Sequence, residues 1–524
     1  MIWSGWGLPE RRVTLDDNVR ALLEQGLHVA HRDTRAVAES DVQLPASRLT
    51  DAAHHSLAAV VGADNMRTDR AGRLRHAAGK STTDLLRLRA GVLEDAPDAV
   101  LLPADHDEIV AVLRACASHR IAVVPFGGGT SVVGGVSPLR GDLAAVVALD
   151  LRRLDRLVAV DAESMTATLQ AGVQAPEAER LLAAHGLTIG HFPQSFEHAS
   201  IGGFAATRSA GQASSGYGRF DELVVALKVA TPVGTLELGR APASAAGPDL
   251  RQLFIGSEGT LGVITEVTLR VRRVPAVQRD EAWVFGDFAS GEAALRELAQ
   301  YDALPAVTRL SDEAETAINA VVAGTSGVSG CLAITCYEGD ADAVDARHAA
   351  ATRILARAGG TPLDDAMGWR AGRYEGPYLR DALLDVGALV ETLETATVWS
   401  NVRPLYGAVR HAITATLTTL GTPPLVLCHI SHVYPSGASL YFTVICAAAA
   451  DPVGQWATAK RAAGDAISAG GATISHHHGV GADHRPWMAA EIGDLGVAVL
   501  RAVKATLDPD GILNPGKLLP DAGP

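Results

Sequence analysis

The segment Pro125-Phe126-Gly127-Gly128-Gly129-Thr130-Ser131 follows the apolar run Ile121-Ala122-Val123-Val124 and sets three consecutive glycines at the end of an expected strand. Glycine lets a backbone take positive φ and approach a ligand closely. Successive N–H groups in such a loop form an anion-binding nest, and a pyrophosphate suits it. A single glycine cluster reads equally well as a tight turn. Two further segments change that weight: Ile201-Gly202-Gly203 and Gly256-Ser257-Glu258-Gly259-Thr260-Leu261-Gly262-Val263-Ile264. The set of three, in this order, is far more specific than any one of them.

Around these loops the pattern alternates between strand and helix. Asp105 and Glu108 form a capping-box pattern ahead of Ile109, Val112, Leu113 and Cys116 at helical spacing. Residues 143–149 and the alternating 166–173 read as strands, and the next helix has Pro176 near its start and Gly186 as its C-cap. Runs at 223–230 and 235–238 flank Pro232-Val233-Gly234, a hairpin pattern. Val267, Leu269 and Val271 alternate with Thr268, Arg270 and Arg272, which marks a half-buried strand. The first ninety-odd residues are polar and helix-prone, with Leu22, Leu23 and Leu27 on one face. In the second half, strands at 331–337 and 439–446 and helices at 341–358 and 456–469 predict an antiparallel sheet covered by helices.

Bulk properties suit a large enzyme. A chain of 524 residues has material for two to four domains. Its 45 Lys and Arg against 59 Asp and Glu give a formal charge of -14, which argues against nucleic acid or an anionic membrane surface as main partner. Five scattered cysteines without a close CxxC pair read as reduced thiols. No signal-peptide pattern and no long apolar span is evident, so a cytoplasmic enzyme is expected.

The three glycine segments resemble the FAD-binding domain of the vanillyl-alcohol oxidase and p-cresol methylhydroxylase (PCMH) superfamily, across residues 95–275. That resemblance implies an α+β fold: a two-subdomain PCMH-type FAD-binding domain plus an antiparallel-sheet cap domain covered by helices. The expected organisation is an N-terminal helical region (1–94), the FAD domain (95–276), the cap (277–480) and a C-terminal segment returning to the FAD domain (481–524). It implies that Pro125, Phe126, Gly127, Gly128, Gly129, Thr130 and Ser131 hold FAD with three other groups. These are Gln194, Ser195, Phe196, Glu197, His198, Ala199 and Ser200; Thr207, Arg208, Ser209 and Ala210; and Glu258, Gly259, Thr260, Leu261, Gly262, Val263 and Ile264. Because residues 125–135 contain no histidine or cysteine, the FAD is expected to be non-covalent.

Five other elements narrow the resemblance: Trp3-Ser4-Gly5-Trp6-Gly7, Arg309-Leu310, Tyr378-Leu379-Arg380-Asp381, Leu440-Tyr441-Phe442, and Ser475-His476-His477-His478-Gly479-Val480-Gly481. Together they resemble the alkyldihydroxyacetonephosphate synthase family through nearly the whole chain. Such flavoenzymes exchange the acyl chain of acyl-dihydroxyacetone phosphate for a fatty alcohol, making an ether bond. The resemblance implies Tyr441 as acid/base, His476, His477, His478, Arg309 and His191 as active-site groups, and Arg380 as a substrate binder. A homodimer and peripheral membrane contact are also expected.

On physical grounds, an extended 475–479 would aim His476 and His478 to one side and His477 to the other. Three adjacent histidines then need a tight local turn to share one metal, while an HxH pair with a distant third ligand stays open; no metal is expected. Histidine titrates near neutrality and suits proton transfer, while an ordinary hydrogen-bonded cluster is the plainer alternative. A tyrosine needs an adjacent cation or histidine to act as a base at neutral pH, and His477 and His478 are the candidates. Guanidinium presents a rigid fork that matches phosphate oxygens. Phe192 stands where the animal synthases have an acid, and Cys428-His429-Ile430-Ser431-His432 replaces an arginine-containing segment. The competing readings are an FAD-linked oxidase or dehydrogenase of a D-2-hydroxy acid, whose HxGDGN element is absent, and an inert flavin- or lipid-binding protein.

Overall fold

The computed structural model describes residues 1–30, 32–322, 329–363 and 369–521; the last three residues of the expected C-terminal segment lie outside them. The strand Ile121–Phe126 pairs in parallel with Ala145–Asp150, which pairs in parallel with Ala99–Leu101. These short strands are apolar and almost wholly buried, as parallel strands covered on both faces must be. The helix His106–Ser118 packs there through Ile109, Val112, Leu113 and Cys116, all at 0% exposure. Asp105 caps it by accepting from Glu108 N at 2.9 Å, but the Glu108 carboxylate returns to Ala104 N, one residue earlier than a capping box requires.

A second, antiparallel sheet runs in the order Leu157–Asp161, Thr166–Gln170, Val263–Arg270, Val224–Thr231, Gly234–Leu238. The expected hairpin is its edge pair, and Val267 and Leu269 point into the core while Arg270 faces water. Both sheets share one apolar core, which also takes in Leu57 and Met66 from the N-terminal region and Ile512 and Leu513 from the C-terminal one. In the helix Asp17–Leu27 the buried side is Leu23, flanked by Val19 and Leu27 at i±4; Leu22 turns outward. The helix Ala175–Ala183 ends on Ala184 as C-cap, and Gly186 supplies the left-handed turn two residues later.

The second large core lies under a seven-stranded antiparallel sheet. Its order is Thr361–Leu363, Val277–Phe285, Cys331–Gly339, Val307–Ser311, Leu425–Tyr434, Gly437–Ala447, Ala388–Val398. Helices Phe288–Gln300, Ala341–Arg357, Trp399–Thr419 and Pro452–Ala469 cover one face. Alternation assigns the faces. Leu440, Phe442, Val444 and Cys446 point into the helix-covered core, as do Cys428, Ile430, Leu310 and Leu393. Tyr441, His429, Arg309 and Glu394 therefore share the other face.

Candidate active site

The glycine segments converge. A Cβ on Gly128 would stand 2.0 Å from His198 O and 2.8 Å from Ala199 Cα, and one on Gly127 would meet Ser200 Oγ at 2.2 Å. One on Gly259 would meet Pro125 Cγ at 2.7 Å. At Gly128 protein backbone fills the space of the side chain, and at Gly127 and Gly259 the Ser200 and Pro125 side chains fill it. The N–H groups of Gly127, Gly128, Gly129 and Thr130 donate to no acceptor among the described residues. His198 Nε2 and Asn514 Oδ1 are buried beside this cradle without partners, although Asn514 Nδ2 donates to Gly135 O and Glu258 O. Free amides and orphaned buried polar atoms fit a pyrophosphate-bearing cofactor.

Other residues of the expected FAD set have protein partners. Ser200 caps the helix Ile201–Thr207, whose Thr207 hydroxyl bonds back to Gly203 O. Arg208 pairs with Asp221 at 3.0 Å, and Ser209 Oγ lies 3.1 Å from His191 Nε2. Glu197 takes Arg11, while Leu261, Val263 and Ile264 belong to the apolar core. Glu258 uses its carboxylate to accept from Val480 N and Gly481 N at 2.9–3.0 Å, tying the cradle to the histidine segment. Burial pushes its pKa up to about 7, against those two donors.

On the cap sheet, pairing builds a row. Tyr441 lies opposite Glu394 on one neighbouring strand and opposite His429 on the other. Its ring stacks on His429 at 4.9 Å and on His477 at 5.9 Å, with His478 edge-on at 5.6 Å. The histidine segment is a tight bend, not an extended run, because three backbone N–H groups converge on one carboxylate. His476 N donates to Glu394 Oε2 at 2.6 Å, and His477 N and His478 N donate to Oε1 at 3.1 and 3.0 Å. Ser475 Oγ donates to the same oxygen at 2.8 Å. Burial would push the Glu394 pKa up, but the facing imidazoles and these donors hold it well below its ordinary range. Burial lowers the pKa of His476, His477 and His478 themselves. Tyr441 is pushed up to about 12 by burial, with Glu391 and Glu394 adding to it. Burial, not the neighbouring histidines, sets the direction of the Tyr441 shift.

Arg309 donates to Glu315 Oε1 at 2.6 Å and lies 3.0 Å from His429 Nδ1, which itself sits 3.0 Å from Glu315 Oε2. Despite burial, His429 and Arg309 bring Glu315 down to about 2. Arg380 donates to Lys80 O at 2.6 Å and to Asp381 Oδ1 through Nε and Nη2. Asp381 in turn accepts from Trp6 N, so the Trp3–Gly7 and Tyr378–Asp381 elements meet in space. His191 is enclosed by Phe204 and Phe220, with burial lowering its pKa to about 3, and it makes no contact with Tyr441 or the triplet among the described residues.

Residues 97–239 match an FAD binding domain, and residues 274–518 match the C-terminal domain of FAD linked oxidases. Alkyldihydroxyacetonephosphate synthase of Dictyostelium discoideum is 34% identical over 482 residues, covering 87% of this chain and 79% of that protein. The chain belongs to the alkyldihydroxyacetonephosphate synthase family. A solved structure of an alkyldihydroxyacetonephosphate synthase superposes with a TM-score of 0.85 at 28% identity, over 99% of each chain. Substrate-bound p-cresol methylhydroxylase shares the fold at a TM-score of 0.70 and 15% identity, over 89% of this chain and 96% of that one. FAD is the cofactor of this synthase-family chain, and the PCMH-type α+β fold is present as expected.

In this family member, sequence reasoning missed Glu394, Glu315, His429 and His432 as parts of the site. Glu394 lies 82 residues from His476 in the chain and carries no motif of its own. A register shift between Ile430 and Val433 is what re-aims His432 toward the triplet, its ring stacking on His476 at 4.8 Å.

Proposed function

We propose that the chain is an alkyldihydroxyacetonephosphate synthase, exchanging the acyl group of acyl-dihydroxyacetone phosphate for a fatty alcohol with non-covalently held FAD. The observation that carries this reading is Tyr441, stacked between His429 and His477 opposite the buried Glu394. Bound FAD supplies an electron-accepting ring system to the reaction. A proton taken from the substrate carbon goes to a neutral imidazole of the triplet, and Tyr441 delivers one back. Glu394 stabilises an imidazole that has gained a proton. Arg380 keeps N–H groups to spare after its bonds to Asp381 and Lys80 O, and it binds the substrate phosphate. Arg309 carries a second guanidinium on the same sheet face as Tyr441.

No helix among the described residues is long and apolar enough to cross a membrane. Leu495 and Val499, both exposed and four residues apart on Met488–Leu507, support peripheral contact with the membrane that holds the lipid substrate. The test is turnover: purified protein given acyl-dihydroxyacetone phosphate and a fatty alcohol releases fatty acid and forms the ether, with no net flavin reduction. Anaerobic bleaching of the flavin by a D-2-hydroxy acid, with no ether formed, overturns the reading in favour of an oxidase. Neither response identifies an inert binder. Acid precipitation frees the yellow colour if FAD is non-covalent; a coloured pellet refutes that part.

A further inference from the structure

Three imidazoles near the row are arranged in a way that proton transfer does not require. The ligand nitrogens of His432, His476 and His477 all lie within 4.8 Å of one another, and His476 Nδ1 is 3.1 Å from His477 Nδ1. Tetrahedral zinc holds imidazole nitrogens at about 2.0–2.1 Å, which places them roughly 3.4 Å apart, so the His476–His477 edge is near that spacing. In two of the rings the outward nitrogen is already engaged. Tyr434 OH lies 2.6 Å from His476 Nε2, and Ser214 Oγ lies 2.6 Å from His432 Nδ1. Such outer partners fix ring orientation in metal sites and leave the inner nitrogens for the ion.

Burial favours the neutral, ligand-competent form of all three rings. His432 and His476 are almost fully enclosed, at 4% and 5% exposure. Glu394 Oε2, 3.8 Å from His477 Nδ1, supplies a compensating negative charge. Arg219, the cation acting on these rings, is paired with Asp221 at 3.2 Å. The Cys428 and Cys446 thiols point into the helix-covered core, away from this face.

We propose that His432, His476 and His477 form a binding site for one divalent first-row metal ion, with a fourth position open to solvent or substrate oxygen. Imidazole-only ligation suits zinc, copper or nickel over magnesium or calcium. The site shares two histidines with the proposed synthase chemistry but does not depend on it.

Flavin-loaded full-length protein is stripped with chelator, incubated with zinc, freed of excess and assayed for metal. Wild type and His411→Ala, a surface control, retain one zinc per chain. His432→Ala retains none above background, and Tyr434→Phe binds at least about tenfold more weakly. Wild type retaining no more zinc than His432→Ala overturns the proposal. Flavin content reports folding of each variant. Should His432→Ala fail to fold, cobalt replaces zinc in the wild type, and absence of the visible bands of tetrahedral nitrogen-ligated cobalt overturns it. These readouts use no substrate, so their failure leaves the synthase reading standing, and failed ether synthesis leaves the metal site standing.

Discussion

The glycine cradle is shaped by chain segments packed directly on bare glycines, whereas the histidine cluster of the cap is shaped by hydrogen bonds to one buried carboxylate. In the cradle, Gly127, Gly128 and Gly259 allow chain segments to touch, so any side chain there disrupts geometry before it disrupts chemistry. In the cap, the sheet frame stands on Leu440, Phe442 and their apolar neighbours, and the groups on its open face can be altered one at a time. The first region is all or none. The second can be dissected.

Gly128→Val is the strongest way to break that contrast. Its side chain would collide with His198 O and Ala199 Cα, and overpacking against backbone costs about 3 kcal/mol or more. The expected outcome is flavin-free protein with a lowered unfolding temperature. Wild-type flavin content and melting would show that the loops do not need contact.

Tyr441→Phe is expected to act in the opposite manner. The phenyl ring preserves stacking on His429 and His477, so flavin content and melting stay at wild-type values while kcat for ether formation falls ~10²-fold or more. Retained turnover removes Tyr441 from the chemistry.

Glu394→Gln sharpens the comparison with a smaller effect. The folded-state pKa of Glu394 lies below its ordinary value of 4.5, so its charge stabilises the fold above that pH. That contribution fades as pH falls through the folded-state value. The variant should be less stable by about 1–3 kcal/mol at neutral pH, and the gap should close on acidification. Parallel denaturation curves from neutral to acid pH check it; a gap independent of pH contradicts the assignment.

Local signals were readable in the chain because their causes are local. The glycine runs, the Asp105 cap and the alternation at 267–271 each depend on neighbours a few residues away. The strand and helix pattern of the cap followed from the same kind of signal, with Gly437–Ala447 slightly longer than 439–446. What remained hidden depends on pairing. Nothing near Glu394 announces that it will lie across from Tyr441 or gather the N–H groups of a segment 82 residues on. Likewise strand pairing brings His429 beside Arg309, while Glu315 reaches it from the helix that follows the same strand. Extended geometry for the triplet failed for the same reason, since a distant carboxylate bends it.

Glu258 has a consequence for the order in which the molecule is completed. It holds Gly481 across a separation of 223 residues, and its carbonyl holds Asn514 across 256. The seven-stranded sheet thus lies within a loop whose neck is tied by Glu258 and by the Val133 carbonyl, which accepts from Ala482 N and Asp483 N. The equilibrium cost of closing so long a loop rises only logarithmically with length. In time the effect is larger, because contacts of such separation are slow to form. On a ribosome the first glycine loop emerges early, yet the residues that lock it arrive only after the whole cap has been made.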